Sequence, residues 1–288
     1  MTPAKVAAEP ETSLMQTPRS APGGKQAANE PRRLADMGTG RMVWLQVLLG
    51  VALLIVWQLA SGRLVDNFLI SNPIAIAGRL WTWTLNGSIF IHIWATVYAT
   101  VLGFAIGAVA GVAGGVWLGL SPFLSRLLNP YIWAFNAVPK VALAPLFILW
   151  FGLGIESKVA LAAILVVFLV FVNTYAGVRE VDQDLIDGAR LMRASKRQIL
   201  MKVILPSSLA WIFVGLKTAV PFALIGTIIG EMIAANRGLG YLVQRAGSDF
   251  DTAGVFAALV AIAGLAVVFN EIVGTVQAKL DGWKVISR

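Results

Sequence analysis

No charged residue occurs between Arg41 and Arg63. An uncharged run of this kind matches the ~20 residues a helix needs to cross the hydrocarbon core of a bilayer. Lipid offers the backbone no hydrogen-bond partners, so such a stretch must satisfy its own amides as a helix. The same pattern recurs along the chain, and six spans are expected at 43–60, 89–120, 130–151, 158–177, 208–235 and 253–277. The composition agrees, because 58% hydrophobic and 13% charged residues stand against ~45–50% and ~25% in soluble domains. The fold class is therefore all-α and polytopic.

Cysteine is absent and His92 is the single histidine. Disulfides, thiolate metal sites, a cysteine nucleophile and histidine metal clusters are thereby excluded. A net charge of +8 suggests nucleic acid at first sight. The bases, however, gather beside the apolar spans, which is the positive-inside signature of a membrane protein and implies no nucleic-acid partner. Arg126, Arg179, Arg190, Arg193, Lys196, Arg197, Lys202 and the bases of both termini fall on one side of a six-span arrangement. Only Arg63, Arg79, Lys158, Arg237 and Arg245 fall on the other. This places both termini and the loop after the fourth span in the cytoplasm.

Residues 1–42 are rich in Ala, Pro, Gly, Ser and Gln, a composition that predicts a disordered cytoplasmic tail. No basic-then-apolar leader lies in the first thirty residues, so no cleaved signal peptide is expected. The membrane domain is expected over 43–280 and a short basic cytoplasmic tail over 281–288. Pro73 opens a short stretch, 74–85, that holds Trp81 and Trp83 and reads as an interfacial helix with its indoles at headgroup level. Gly103, Gly107, Gly111, Gly115 and Gly119 recur every fourth residue, a smooth face that admits close approach of another helix. His92 is expected to be a boundary residue bonded locally rather than a proton carrier.

The third span is interrupted by Pro130, Pro139 and Pro145 and carries Lys140. Broken helices at membrane depth often line a solute path. Charges there cost at least ~2.5–3.5 kcal/mol and tend to face a cavity or a counter-charge. Asn136, Pro139, Lys140, Pro145, Lys217 and Glu231 are therefore candidate pathway residues. For Lys140 and Lys217 two readings stand. They present positive potential to an anion, or Lys140 caps carbonyls freed by the prolines while Lys217 pairs with Glu271 or snorkels. No nucleotide-binding P-loop, Gly-x-Ser-x-Gly or His-Glu-x-x-His occurs in the sequence, so the chain is read as a passage rather than an enzyme.

The most polar segment after the N-terminal tail is 181–206. It opens with Asp182, Asp184 and Asp187 and continues with Arg190, Arg193, Lys196, Arg197 and Lys202, an order that suits a helix dipole. Leu185, Ile186, Ala189, Met192 and Leu200 form an apolar stripe at roughly helical spacing. Pro206 is expected to stop the run just before the next span.

This segment resembles the cytoplasmic coupling loop of ABC-importer permeases, whose pattern is Glu-Ala-Ala, three residues, Gly, nine residues, Ile-x-Leu-Pro. Asp187-Gly188-Ala189 and Val203-Ile204-Leu205-Pro206 stand at the matching spacing. Arg193 occupies the Gly position, so the loop is expected to turn differently or through Ala194-Ser195. VPKVALAPLFILWFGLG (138–154) resembles the corresponding segment of nitrate/sulfonate/taurine-type permeases. Glu231, followed by Asn236, Arg237, Gly238, Leu239 and Gly240, resembles that family's acid and Gly-Leu-Gly turn at the outer face. It shapes the mouth or makes a helix-end hydrogen bond. Gly215-Leu216-Lys217 keeps the cation where related permeases often carry Arg.

The resemblance covers about residues 73–280. It implies the six-helix type I importer permease fold with a coupling helix, in a bacterial inner membrane. It also implies two cytoplasmic ATPase subunits that bind ATP and Mg, a second permease copy, and an extracytoplasmic binding protein delivering a small, sulfonate-, taurine- or nitrate-like solute. Asp184, Asp187, Gly188, Ala189, Met192, Arg193, Ala194 and Pro206 would meet the ATPase, with Asp187 pairing with a base and the apolar side of 185–192 entering its groove. The competing reading is an ion-coupled secondary transporter. It would need mid-depth carboxylates, whereas Glu231 and Glu271 lie near span ends.

Overall fold

The computed structural model describes residues 39–281. The chain forms two compact units divided within the first helix, after Leu53. That helix, α1 (Thr39–Ala60), is about 33 Å long, enough to cross a bilayer, and contains the expected first span.

The second unit begins at Leu54 and continues through α2 (Asn67–Ile70) to α3 (Pro73–Leu85), whose N-cap Asn72 accepts a hydrogen bond from Ala75 N. α3 is the expected short helix, but its two indoles divide. Trp81 is exposed, while Trp83 packs on a cluster of Leu239, Leu242 and Ala258. α4 (Ser88–Gly119) is the longest helix before the polar segment.

α5 runs Pro122–Ala137, capped by Ser121, and so absorbs the loop expected at 121–129. Pro122 sits in the first turn, where its missing N–H costs nothing. Pro130 lies inside the helix. The chain then breaks. A 3₁₀ turn at Lys140–Leu143 leads into α6 (Ala144–Phe151), and the two halves are bent by 81°. Pro139 accounts for the break, because it cannot donate to the preceding turn and holds Val138 before it in an extended conformation, whereas Pro145 is tolerated in the first turn of α6.

α7 (Ile155–Arg179) leads to α8 (Gln183–Leu191) and α9 (Lys196–Ile199). A π-helical turn, Leu200–Ile204, then joins α9 to α10 (Leu205–Ala234). Pro206 thus does not end the polar segment before a new span. Lys196–Ala234 is one continuous helical stretch, and Pro206 sits in the first turn of α10. The widened π turn just ahead of it accommodates the ring and the missing donor. α11 (Leu239–Ser248) occupies the stretch expected to be an outer loop, and α12 (Thr252–Asp281) completes the described chain.

Among the described residues five helices are long and apolar enough to cross a bilayer, and the bent pair makes the sixth if it counts as one span. α4, α7 and α10 form the centre of the second unit around Val166, Val170, Ala219 and Ala223. The glycine face of α4 makes this possible. A Cβ on Gly107 would lie 2.6 Å from Val166 Cβ, and one on Gly115 2.7 Å from Thr174 Cβ. In lipid, helices gain little from hydrophobic association and depend on such close packing.

Candidate functional site

The polar segment is built from two capped helices at a sharp corner. Asp182 caps α8 by accepting from Asp184 N at 2.9 Å. At the other end Arg193 N donates to Arg190 O (2.8 Å) and Ala194 N donates to Ala189 O (3.0 Å). These paired bonds make a Schellman motif. Such a motif needs a left-handed residue after the cap, and Arg193 supplies it at φ 56°. The turn therefore occurs at Arg193 itself, where the resembled pattern has Gly, and not through Ala194-Ser195. The side chain there costs ~1–2 kcal/mol relative to a right-handed residue. α9 starts on a capping box, with Ser195 N donating to Gln198 Oε1 (2.7 Å) and Gln198 N to Ser195 Oγ (3.3 Å).

The expected apolar stripe is split between two faces. Ile186 and Ala189 are buried with Val178, Val181, Ile199 and Ile204, while Ala194 and Leu200 pack against that cluster. This inner face fixes the segment to the ends of α7 and α10. Leu185, Leu191 (86% exposed) and Met192 (80% exposed) point outward instead. Gly188 stands among them with open space where a Cβ would be. Asp187 pairs with Arg190 of its own helix at 2.8 Å, both side chains exposed. Asp184 is exposed as well.

The pathway candidates do not converge. Asn136, Pro139 and Lys140 meet at the break, where Lys140 Nζ donates to Asn136 O (3.0 Å) and Oδ1 (3.4 Å) and lies 4.5 Å from the centre of the Phe168 ring. Lys140 thus caps the end of α5. Pro145 is at the start of α6. Lys217 and Glu231 are both on α10 but about 21 Å apart along its axis. Lys217 is exposed and forms no ion pair with Glu271 among the described residues.

Glu231 is 3% exposed and anchors a second polar cluster. Its carboxylate accepts from Thr96 Oγ1 at 2.9 and 3.0 Å and from Gly240 N at 2.9 Å. Thr96 Oγ1 in turn accepts from Leu239 N (2.8 Å), and His92 Nδ1 accepts from Gly238 N (3.1 Å). His92 is therefore bonded across the fold and not locally. Gly238 adopts φ 121°, which glycine tolerates freely. These bonds tie the start of α11 to α4.

Lys158, which its sequence position suggests is a loop base, is also buried. It donates to Leu153 O (2.6 Å), Gly154 O (2.8 Å) and Ala234 O. Thr100 Oγ1 donates to Thr227 Oγ1 (3.1 Å) between α4 and α10. The sequence holds a signal for part of this cluster. Thr96 and Thr100 continue the glycine face of α4 by one further helical repeat, so they fall on the buried side. Among the described residues no group of acids or His92 could hold a metal ion.

Residues 103–282 match the family described as binding-protein-dependent transport system inner membrane component. The chain belongs to that family. The match spans the bent pair, the polar segment and Lys158 and Glu231. This inner membrane component is 33% identical over 233 residues to the formylaminopyrimidine transport permease protein ThiX of Halalkalibacterium halodurans, covering 81% of this chain and 92% of that one. It is 31% identical over 240 residues to the taurine transport system permease protein TauC of Escherichia coli, covering 82% and 87%. The fold is shared with a chain of the MetNI methionine ABC transporter in an inward-facing conformation, at TM-score 0.58 and 20% identity over 65% of this chain and 94% of that one. The chain is thus a multi-pass permease subunit of an ABC importer.

Proposed function

We propose that this permease passes a small solute, received from an extracytoplasmic binding protein, into the cytoplasm, and that two cytoplasmic ATPase subunits drive it through residues 181–206. Two permease copies form the passage. ATP and Mg²⁺ are held by the ATPases, and this chain supplies no group to them. Both termini lie in the cytoplasm, a reading supported by the crowding of bases on that side.

One observation carries the proposal: an outward apolar face of Leu185, Leu191 and Met192 on a helix whose opposite face is fixed to α7 and α10. An exposed apolar patch with a rigid backing suits a partner surface. Gly188 lets that partner approach the helix closely. Asp184, Asp187 and Arg193 fringe the patch, and the exposed Asp187–Arg190 pair is weak enough to be exchanged for a base on the ATPase. Ala189, Ala194 and Pro206 then act from behind, by holding the lever to the spans. When the ATPases close on ATP, two such levers move together and tilt the spans.

The proposed solute is a small sulfonate- or taurine-like anion. The taurine relative and the exposed Lys217 on a spanning helix support it. Asn136, Pro139, Lys140 and Pro145 shape the path at the bent pair, and Glu231 fixes its outer end. The formylaminopyrimidine relative favours a second reading, a neutral heterocyclic solute.

The permease, its ATPase and its binding protein are tested together in proteoliposomes. Uptake is expected to follow ATP hydrolysis. Asp187→Arg is expected to leave insertion intact while separating hydrolysis from uptake. Full uptake by Asp187→Arg, or uptake driven by an ion gradient without the ATPase, contradicts the reading and restores the ion-coupled alternative. Lys217→Gln is expected to weaken taurine uptake, and unchanged affinity and turnover there favour the heterocycle.

A further inference from the structure

We propose that His92 is a positioning residue that makes the outer turn 236–240, and uptake with it, sensitive to acid outside the cell. The proposal rests on the importer reading and on the orientation given above.

The amides of Gly238, Leu239 and Gly240 stand at the start of α11, where a helix leaves its N–H groups without intrahelical partners. Three side chains take them up in order. Gly238 N donates to His92 Nδ1 (3.1 Å), Leu239 N to Thr96 Oγ1 (2.8 Å) and Gly240 N to the Glu231 carboxylate (2.9 Å). The turn has little slack, because a Cβ on Gly238 would collide with that carboxylate.

The three acceptors respond differently to a proton. The threonine hydroxyl stays as it is. A carboxylate that gains a proton keeps an oxygen able to accept. An imidazole that gains one keeps no acceptor, because both ring nitrogens are then donors. While the Gly238 N–H points at Nδ1, the proton of the neutral ring is on Nε2. The Nδ1 lone pair is then the one place for a second proton, and it serves either the amide or that proton. The closed turn therefore binds one proton fewer than the open turn. A rise in pH favours the closed form and a fall in pH favours the open form.

The surroundings sharpen this exchange. The ring is half-buried and stacks on Tyr241 of α11, with ring centres 5.7 Å apart. The charges that face it are Arg237 on the turn and Arg245 on α11, and both repel an imidazolium. Arg245 lies 3.8 Å from Asp249, and Arg79 of α3 is engaged by Asp251. Glu231 of α10 is the acid at the turn, and Thr96 and Gly240 already hold it. Protonation thus removes one bond and sets His92 against Arg237, the neighbour of the freed amide. Asn236 and Arg237 are exposed and line a cleft of about 330 Å³. In the proposed orientation this is the face on which the binding protein delivers solute, and the proton changes the form of its wall.

Backbone hydrogen exchange over residues 236–240 tests the proposal in the purified complex of permease and ATPase. Protection is taken relative to the intrinsic rate at each pH. Between about pH 7.5 and about pH 5, where histidine changes charge, the parent is expected to lose protection about tenfold, the equivalent of one lost hydrogen bond. In His92→Asn the Oδ1 stands where Nδ1 does and does not titrate, so the protection is expected to persist at both pH values. His92→Phe has no acceptor and is expected to be poorly protected at both. Equal protection of the parent at the two pH values overturns the proposal. A pH dependence retained in His92→Phe assigns the titration to Glu231 and overturns it too. In proteoliposomes held at about pH 7.5 inside, with the same binding protein outside, acidification of the outside to about pH 5 is expected to lower uptake by the parent relative to His92→Asn. An unchanged ratio overturns the link to uptake. Where the variants do not assemble, the parental chain decides. His92 is its single histidine, so histidine-labelled permease shows one imidazole by nitrogen NMR. That ring is expected to carry its proton on Nε2 at about pH 7.5 and to be charged at about pH 5. A proton on Nδ1 at the higher pH, or a neutral ring at the lower, overturns the proposal. Absence of ATP-driven uptake at every pH refutes the importer reading instead, whatever the exchange at 236–240 shows.

Discussion

The two polar regions of this permease handle charge in opposite ways. Residues 181–206 carry acids and bases on an exposed surface, with an intramolecular pair between Asp187 and Arg190, and they leave Leu191 and Met192 uncovered. The cluster around Lys158 and Glu231 hides its charges and directs every donor and acceptor to the fold itself. The first region is stable without its surface groups and gains meaning only from a partner. The second is a fastening, because burial makes each unpaired group costly. On the proposed reading, the contrast separates residues that meet the ATPase from residues that hold the chain's own form.

Substitutions can break or sharpen this contrast. The largest effect on the purified permease is expected from Lys158→Met, which takes the donor from Leu153 O and Ala234 O while Gly154 O keeps Ser157 Oγ, a loss on the order of 3 kcal/mol, seen as a clear fall in thermal midpoint in detergent. Glu231→Gln comes next. Its amide faces the Gly240 N–H with one acceptor too few, and a loss of about 1–3 kcal/mol is expected by the same measurement. Met192→Asp is expected to leave the midpoint unchanged within ~0.5 kcal/mol yet to abolish co-purification of the ATPase. Arg193→Gly relieves the left-handed residue and is expected to stabilise the permease by about 1 kcal/mol. The smallest change is expected for Asp187→Ala, at ~0.5 kcal/mol or less, because an exposed pair contributes little. A large loss of stability from Met192→Asp, or none from Lys158→Met, would erase the distinction between the two regions.

Reading the sequence locates the spans well because hydrocarbon leaves a backbone few choices. The glycine face of α4 is legible for the same reason: five small residues on one side of a helix require a close neighbour. The polar segment can be recognised from its spacing, but the division of its stripe cannot. Both Ile186 and Leu185 are apolar, and only the tertiary packing decides that one faces α7 and the other faces out. Pro206 misleads because proline usually marks a boundary, whereas a π turn ahead of it keeps the helix continuous. Lys158 is missed because a charge at the edge of an apolar run looks like a loop residue. Its three carbonyl partners become visible only when the ends of α6 and α10 are brought together. The pathway residues are gathered in sequence by composition alone, and the fold scatters most of them.

The central claim is that residues 181–206 face the cytoplasm and receive the ATPase. A Met192→Cys permease, otherwise free of cysteine, tests it directly when treated with an impermeant maleimide outside the cell and a short bifunctional crosslinker inside it. No labelling from outside and a crosslink to the ATPase subunit are expected. Labelling of the Met192→Cys thiol from outside, with no crosslink to the ATPase, would contradict it.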